Sequence, residues 1–228
     1  MRKPLSAILF AAFFLLGLSL LLYPSVSDRW NDLRQSQAIT GYTEQVSALD
    51  SESNHQLWRD AEVYNRFLRE YGNSFLVSEE QAAEYQRLLH VTEDGMMGYI
   101  EIPDIQCTMP IYHGTEEAVL QAAVGHAEWS SLPVGGESTH CVLLGHRGLP
   151  DAKLFTDLDQ LAVGDVFQLR VLDAVLTYEV DQIKIVEPQE TAALQIVEGE
   201  DYCTLVTCTP YGINTQRLLV RGRRRDYN

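Results

Sequence analysis

Positive charge is scarce in this chain. Across 228 residues, 17 Lys and Arg face 32 Asp and Glu, for a formal net charge of −15. A surface this short of base is not built to neutralise phosphates, which argues against nucleic acid as a partner. Cysteine is also sparse, and four residues cannot form the dense disulfide framework of a secreted mini-scaffold. No internal repeat or low-complexity tract stands out. No grouping of His, Cys, Asp and Glu has metal-ligand spacing, so neither a metal nor another cofactor is expected. The hydrophobic content of 46% argues against wholesale disorder, and the length suits one well-packed domain with appendages.

Charged residues are missing altogether between Lys3 and Asp28. Within that gap, residues 5–23 read LSAILFAAFFLLGLSLLLY, apolar apart from two serines and the closing tyrosine. As a helix this segment spans about 28 Å, close to the hydrocarbon thickness of a bilayer. A cleaved secretion signal competes, because Ser25-Val26-Ser27 has the small-x-small form of a cleavage site. Signal cores are usually shorter, however, and the length favours an uncleaved transmembrane anchor. The preceding Arg2 and Lys3 predict a cytoplasmic N-terminus, with everything after Asp28 exported.

Residues 28–90 are polar, with Leu57, Ala61, Tyr64, Leu68 and Tyr71 at helical spacing. They predict two or three amphipathic helices, although a plain solvated stalk shares this periodicity. Ser78-Glu79-Glu80 marks the start of a further short helix running through Tyr85, Leu88 and Leu89. Near Gly95 the texture changes to short β-branched runs broken by Gly, Pro, Asn and Asp. Strands are expected at 98–102, 107–112, 140–145, 166–172, 176–186, 202–208 and 215–220, with short helices near 118–122 and 152–158. Seven or eight such strands make the fold mainly β, a closed or half-open barrel with small helices. The basic run 221–225 reads as a solvated tail.

Cys208 ends the run Thr204-Leu205-Val206-Thr207-Cys208 and is followed at once by Thr209-Pro210-Tyr211-Gly212. A strand end before a Pro/Gly turn holds a nucleophile rigidly yet within reach. A free cysteine in a strand is nevertheless more often a small buried apolar residue. His146 has matching context: it follows Cys141-Val142-Leu143-Leu144-Gly145 and precedes Arg147-Gly148. Parallel neighbouring strands would bring the two together, and an imidazole can then take the thiol proton and return it to a leaving amine. Of the remaining histidines, His55 and His90 are expected to be solvated, His113 and His126 to make loop hydrogen bonds, and His140 to cap a strand edge. Arg217 opens the strand after the turn 211–214, so hairpin geometry returns it toward Cys208. There its guanidinium could stabilise an oxyanion, or it could be an ordinary surface arginine.

Together these pieces resemble a known family. TLVTCTPYGINTQRLLVRG (204–222), with LLGHRGLP (143–150) upstream, is similar to the sortase transpeptidases. Further matches are GYIEIPDI (98–105), PIYHGT (110–115), SLPVGGESTH (131–140) and KLFTDLDQL (153–161). The motifs are most similar to class C, the pilin-polymerising sortases. The resemblance implies an eight-stranded sortase barrel over residues 97–222, preceded by a membrane anchor (1–27) and a helical spacer with a lid-like element (28–96), and followed by a basic tail (223–228).

It also implies a site made of Cys208, His146 and Arg217. Cys208 would cleave a Leu-Pro-x-Thr-Gly-like sorting signal between Thr and Gly. The resulting thioacyl-enzyme would pass to an amine, either a pilin lysine or a peptidoglycan peptide. Expected partners are therefore sorting-signal-bearing surface or pilin proteins, met on the outer side of a Gram-positive cell membrane. Other readings are a housekeeping sortase that anchors proteins to the wall, an assembly subunit that binds sorting signals without cutting them, and a secreted cysteine hydrolase.

Two departures from class C stand out. The Asp-Pro-aromatic lid motif is replaced by Asn73-Ser74-Phe75, so Phe75 could still cover Cys208 while the carboxylate that would pair with Arg217 is gone. Weak occlusion is expected. The second membrane segment usual after the domain does not precede Asn228, which predicts a single anchor or a truncated chain. Finally, Cys141 and Cys203 each lie five residues before His146 and Cys208. Parallel pairing in register would place them together, and the poor bridging geometry of adjacent strands predicts proximity without a disulfide.

Overall fold

The computed structural model describes residues 3–71, 77–148 and 153–225. The lid candidate Asn73, Ser74 and Phe75 lies outside the described residues. So does Ala152 at the start of the short helix expected near 152–158.

Eight strands form a closed barrel. They are β1 (Met96–Ile102), β2 (Cys107–His113), β3 (Val124–His126), β4 (Thr139–Leu144), β5 (Val166–Val171), β6 (Ala174–Val186), β7 (Asp201–Thr209) and β8 (Gln216–Arg225), ordered β1-β2-β3-β4-β7-β8-β6-β5 around the wall. The fold is thus mainly β and closed, so that among the described residues each strand has a neighbour on both sides. β2 pairs with β3 and β4 with β7 in parallel, and the other neighbours are antiparallel. Inward-facing Leu143, Leu205, Val220, Phe167, Leu169 and Ile100 fill the interior, all fully buried. The seven expected strands are present with slightly different ends. β3 was not anticipated, since three residues are too few to show alternation.

Among the described residues four α-helices accompany the barrel: α1 (Lys3–Ala48), α2 (Ser51–Tyr71), α3 (Glu79–Tyr85) and α4 (Glu117–Leu120). α1 runs through Pro24 as a single helix, so the expected anchor and the first spacer helix are one element. Its N-terminal half is long and apolar enough to cross a membrane, and it presents Phe10, Phe13 and Leu21 largely exposed. The C-terminal half docks on the barrel. The Tyr42 hydroxyl donates to the Met97 carbonyl at 2.9 Å and accepts from the Leu172 amide at 2.8 Å. On α2, Asn65 exchanges two hydrogen bonds with the backbone of Leu132, while Ala61, Tyr64 and Leu68 join the main core. The helical region is therefore part of the globule rather than a free stalk, because its apolar stripe is covered by the barrel wall.

α3 starts where expected. Ser78 and Gln81 form a reciprocal capping box, the Ser78 hydroxyl accepting from the Gln81 amide at 3.2 Å. The helix ends at Tyr85, and Leu88 and Leu89 lie in the following turn. The segment expected to be helical near 152–158 is, in its described part, a turn with Leu154 at φ 39°, followed by a single 3-10 turn at Leu158–Gln160. The basic run is no tail. Arg221, Arg223 and Arg225 lie on β8 and pair with Asp181, Glu200 and Glu179, so the domain reaches residue 225. Alternation along the strand sends these arginines to one face, where neighbouring strands supply carboxylates.

Candidate active site

β4 and β7 run parallel with Cys141 opposite Cys203 and Leu144 opposite Val206. The ladder continues past the end of β4, where the Gly145 amide donates to the Val206 carbonyl at 3.1 Å. Two residues on from the last pair, His146 is level with Cys208. Side chains alternate, so Val142 and Leu144 share the outer face with Thr204, Val206 and Cys208, and His146 follows at the end of that row. Across the other side of β7, Cys208 is the direct antiparallel partner of Arg217 and Val206 that of Leu219. The three residues expected to carry chemistry therefore meet at one end of one face. Beneath them lies a small hydrophobic layer of Val142, Val206, Leu219, Ala127 and Leu194.

Backbone bonds hold this end in place. The Thr207 hydroxyl donates to the Gly145 carbonyl at 2.7 Å, and the Phe155 amide to the His146 carbonyl at 3.1 Å. Gly145 is required by close approach, since a Cβ there would lie 2.5 Å from the ring of fully buried Phe155. On the far side, the turn after Cys208 closes with bonds from the Ile213 and Asn214 amides to the Pro210 carbonyl.

Among the four thiols only Cys208 is reachable. Cys107, Cys141 and Cys203 are buried, and Cys208 is partly exposed. Burial pushes the Cys107 thiol up to about 12 and holds Cys203 well above the ordinary thiol range. Cys141 and Cys203 are neighbours, as their spacing predicts, and both are free thiols.

The Arg217 guanidinium folds back on its own turn, with Nη1 donating to the Asn214 and Gln216 carbonyls at 3.3 and 3.0 Å. Among the described residues no carboxylate pairs with it. Arg147, beside His146 in sequence, forms an ion pair with Asp159 and lies over the Tyr211 ring, so its charge has a partner of its own. His146 Nε2 is buried and lies 3.4 Å from Glu117 Oε2 without hydrogen-bond geometry. Sequence reasoning did not single out Glu117, because nothing in a strand-end motif points to a carboxylate on a distant short helix.

Of the other histidines, His55 and His90 are exposed, as expected, and three differ from expectation. His113 and His126 end β2 and β3 in buried positions rather than loops. His126 Nδ1 lies 3.0 Å from the Tyr85 hydroxyl, which also accepts from the Gly114 amide at 3.0 Å, so α3 is tied to two strand ends. His140 is buried between the Thr204 hydroxyl (2.7 Å) and the Gln195 carbonyl (2.9 Å), and burial lowers its pKa to about 4. Among the described residues no group of His, Cys, Asp and Glu could hold a metal. A cleft of about 400 Å³ between α1 and the barrel, lined by Tyr42, Val46, Asn54, Tyr99 and Leu172, contains neither a cysteine nor a buried base.

A family model for the sortase domain matches residues 100–225. The crystal structure of sortase C1 from Streptococcus agalactiae is similar with a TM-score of 0.83 at 47% identity, covering 84% of this chain and 100% of that one. Sortase C of Clostridium perfringens, solved with the C-terminal cell wall sorting motif, gives a TM-score of 0.75 at 44% identity, covering 84% of this chain and 100% of that one. Sortase D of Bacillus subtilis (strain 168) is 32% identical over 130 residues, 56% of this chain and 63% of that protein. The match thus spans less than two thirds of that curated relative.

Proposed function

The chain belongs to the sortase family, and on that premise we propose that it is a membrane-anchored cysteine transpeptidase of the class C type. Residues 1–27 serve as the anchor, 28–96 as the docked helical spacer with a degenerate lid, and the barrel as an extracellular catalytic domain. The substrate is a Leu-Pro-x-Thr-Gly-like sorting signal on a pilin or surface protein, and the final acceptor is a pilin lysine. What supports this reading is the meeting of a partly exposed thiol, an imidazole and a guanidinium at one strand end, with every other cysteine buried.

The chemistry follows from those groups. The Cys208 thiolate attacks the threonine carbonyl, and the charge that develops on its oxygen is met by Arg217 N–H donors. Collapse of the tetrahedral intermediate breaks the Thr–Gly bond as the His146 imidazolium protonates the departing glycine amine, leaving a thioester on Cys208. An incoming amine gives its proton to His146, attacks the thioester, and releases the thiolate with a new amide bond.

Mass spectrometry of the protein incubated with a sorting-signal peptide tests this. A thioester on Cys208, absent in Cys208→Ala, is the expected result. An intact thiol with bound peptide would identify a binding subunit instead. Adding a pilin lysine acceptor should divert the product from acid to amide, and an exclusively acid product would identify a hydrolase. A wall-peptide amine outcompeting the pilin lysine would identify a housekeeping enzyme.

A further inference from the structure

Glu117 lies on the short helix α4, remote in sequence from the strand-end motifs. One of its carboxylate oxygens, Oε1, accepts from Gln121 Nε2 at 3.0 Å, one helical turn on. The other, Oε2, is 3.4 Å from His146 Nε2. That nitrogen is buried and makes no hydrogen bond among the described residues. Gln121 thus fixes the carboxylate from behind while its free oxygen faces the imidazole. The neighbouring Glu116 cannot take this role, because its carboxylate occupies the space that a Cβ on Gly114 would fill. Gly114 itself has φ 78°, a conformation that glycine adopts without strain.

We propose that Glu117 is a positioning residue that fixes the orientation of the His146 ring and is itself held by Gln121. The proposal deepens the transpeptidase reading and rests on it for its catalytic consequence. Facing Nε2 at 3.4 Å, the carboxylate limits the rotations open to the imidazole ring. It also turns the ring so that the nitrogen facing away from Glu117 is the one available to Cys208. Glu117 is 69% exposed, so water screens the interaction and the effect is modest.

The test is the rate of Cys208 alkylation by iodoacetamide in the full chain without peptide, which reads how well the His146 ring serves the thiol. Glu117→Gln should slow alkylation about two- to fivefold, the range for one exposed polar contact. Glu116→Gln should leave it unchanged. In a His146→Ala background, Glu117→Gln should have no further effect. With a sorting-signal peptide, Glu117→Gln should lower kcat by a similar factor with KM unchanged, and Glu117→Asp should recover part of the loss. Unchanged alkylation in Glu117→Gln, or an equal loss when His146 is absent, would overturn the proposal. If alkylation behaves as expected but no peptide is cleaved by the wild type, the transpeptidase reading fails and the pairing stands.

Discussion

Cys208 on β7 and Arg217 on β8 are direct partners in the antiparallel ladder, so their side chains leave the same face of the barrel. Arg217 nevertheless spends Nη1 on the carbonyls of its own turn, which presets the plane of the guanidinium before any substrate arrives. Catalysis should therefore need the planar fork as well as the charge. Arg217→Ala is expected to lower kcat for peptide cleavage about 10²- to 10³-fold, the usual cost of one oxyanion donor. Arg217→Lys should recover only a small part. Full activity in the lysine variant would show that charge alone suffices.

Gly145 separates the last paired residue of β4 from His146, and its Cα faces the Phe155 ring. Gly145→Ala must move either the buried ring or the strand end that carries His146. Unfolding in urea should show a loss of about 1–3 kcal/mol, the cost of overpacking. Alkylation of Cys208 should slow in the same variant, because Phe155 also bonds the His146 carbonyl.

The Tyr85 hydroxyl joins α3 to the barrel by meeting His126 Nδ1, the His126 carbonyl and the Gly114 amide at 3.0–3.1 Å. Tyr85→Phe keeps the ring but strands these buried groups. A stability loss of about 2 kcal/mol is expected from denaturant midpoints. A loss below a few tenths would mean that the packed ring, and not the hydroxyl, secures α3.

Burial lowers the pKa of His140 to about 4, against an ordinary value near 6.5. The unfolded chain then binds the proton more tightly than the folded one. Stability from this residue is complete above pH 6.5 and is lost as pH falls toward 4, by about 3 kcal/mol at the limit. Denaturant midpoints at pH 7 and pH 4.5, compared between wild type and His140→Asn, should show a smaller acid loss in the variant. An identical acid loss in both would remove His140 as a cause.

Cys141 and Cys203 face each other on parallel strands and remain thiols, with Cys203 deeply buried. Unfolding without reductant and titrating with a thiol reagent should count four thiols per chain. A count of two would show a disulfide.

Much of the barrel was legible because β-strands announce themselves locally. Val166 to Val171 alternates in burial, and Pro210 and Gly212 end the run containing Cys208. β3 escaped for lack of length. The expected helix near 152–158 gave way to turns in its described part, where tertiary packing of Leu154 and Phe155 outweighed local preference. The arginines of β8 looked like a tail because their partners Asp181, Glu200 and Glu179 are distant in sequence.

Residue chemistry and local pattern alone determined which thiol, imidazole and guanidinium to consider, and that a long uncharged segment precedes a β-domain. Pairing between remote segments decided the rest. The docking of Tyr42 and Asn65 on the barrel, the neutral burial of His140, and the approach of Glu117 to His146 all depend on strand register and barrel closure. Those are set by the packing of the whole core, and no local stretch of sequence contains that information.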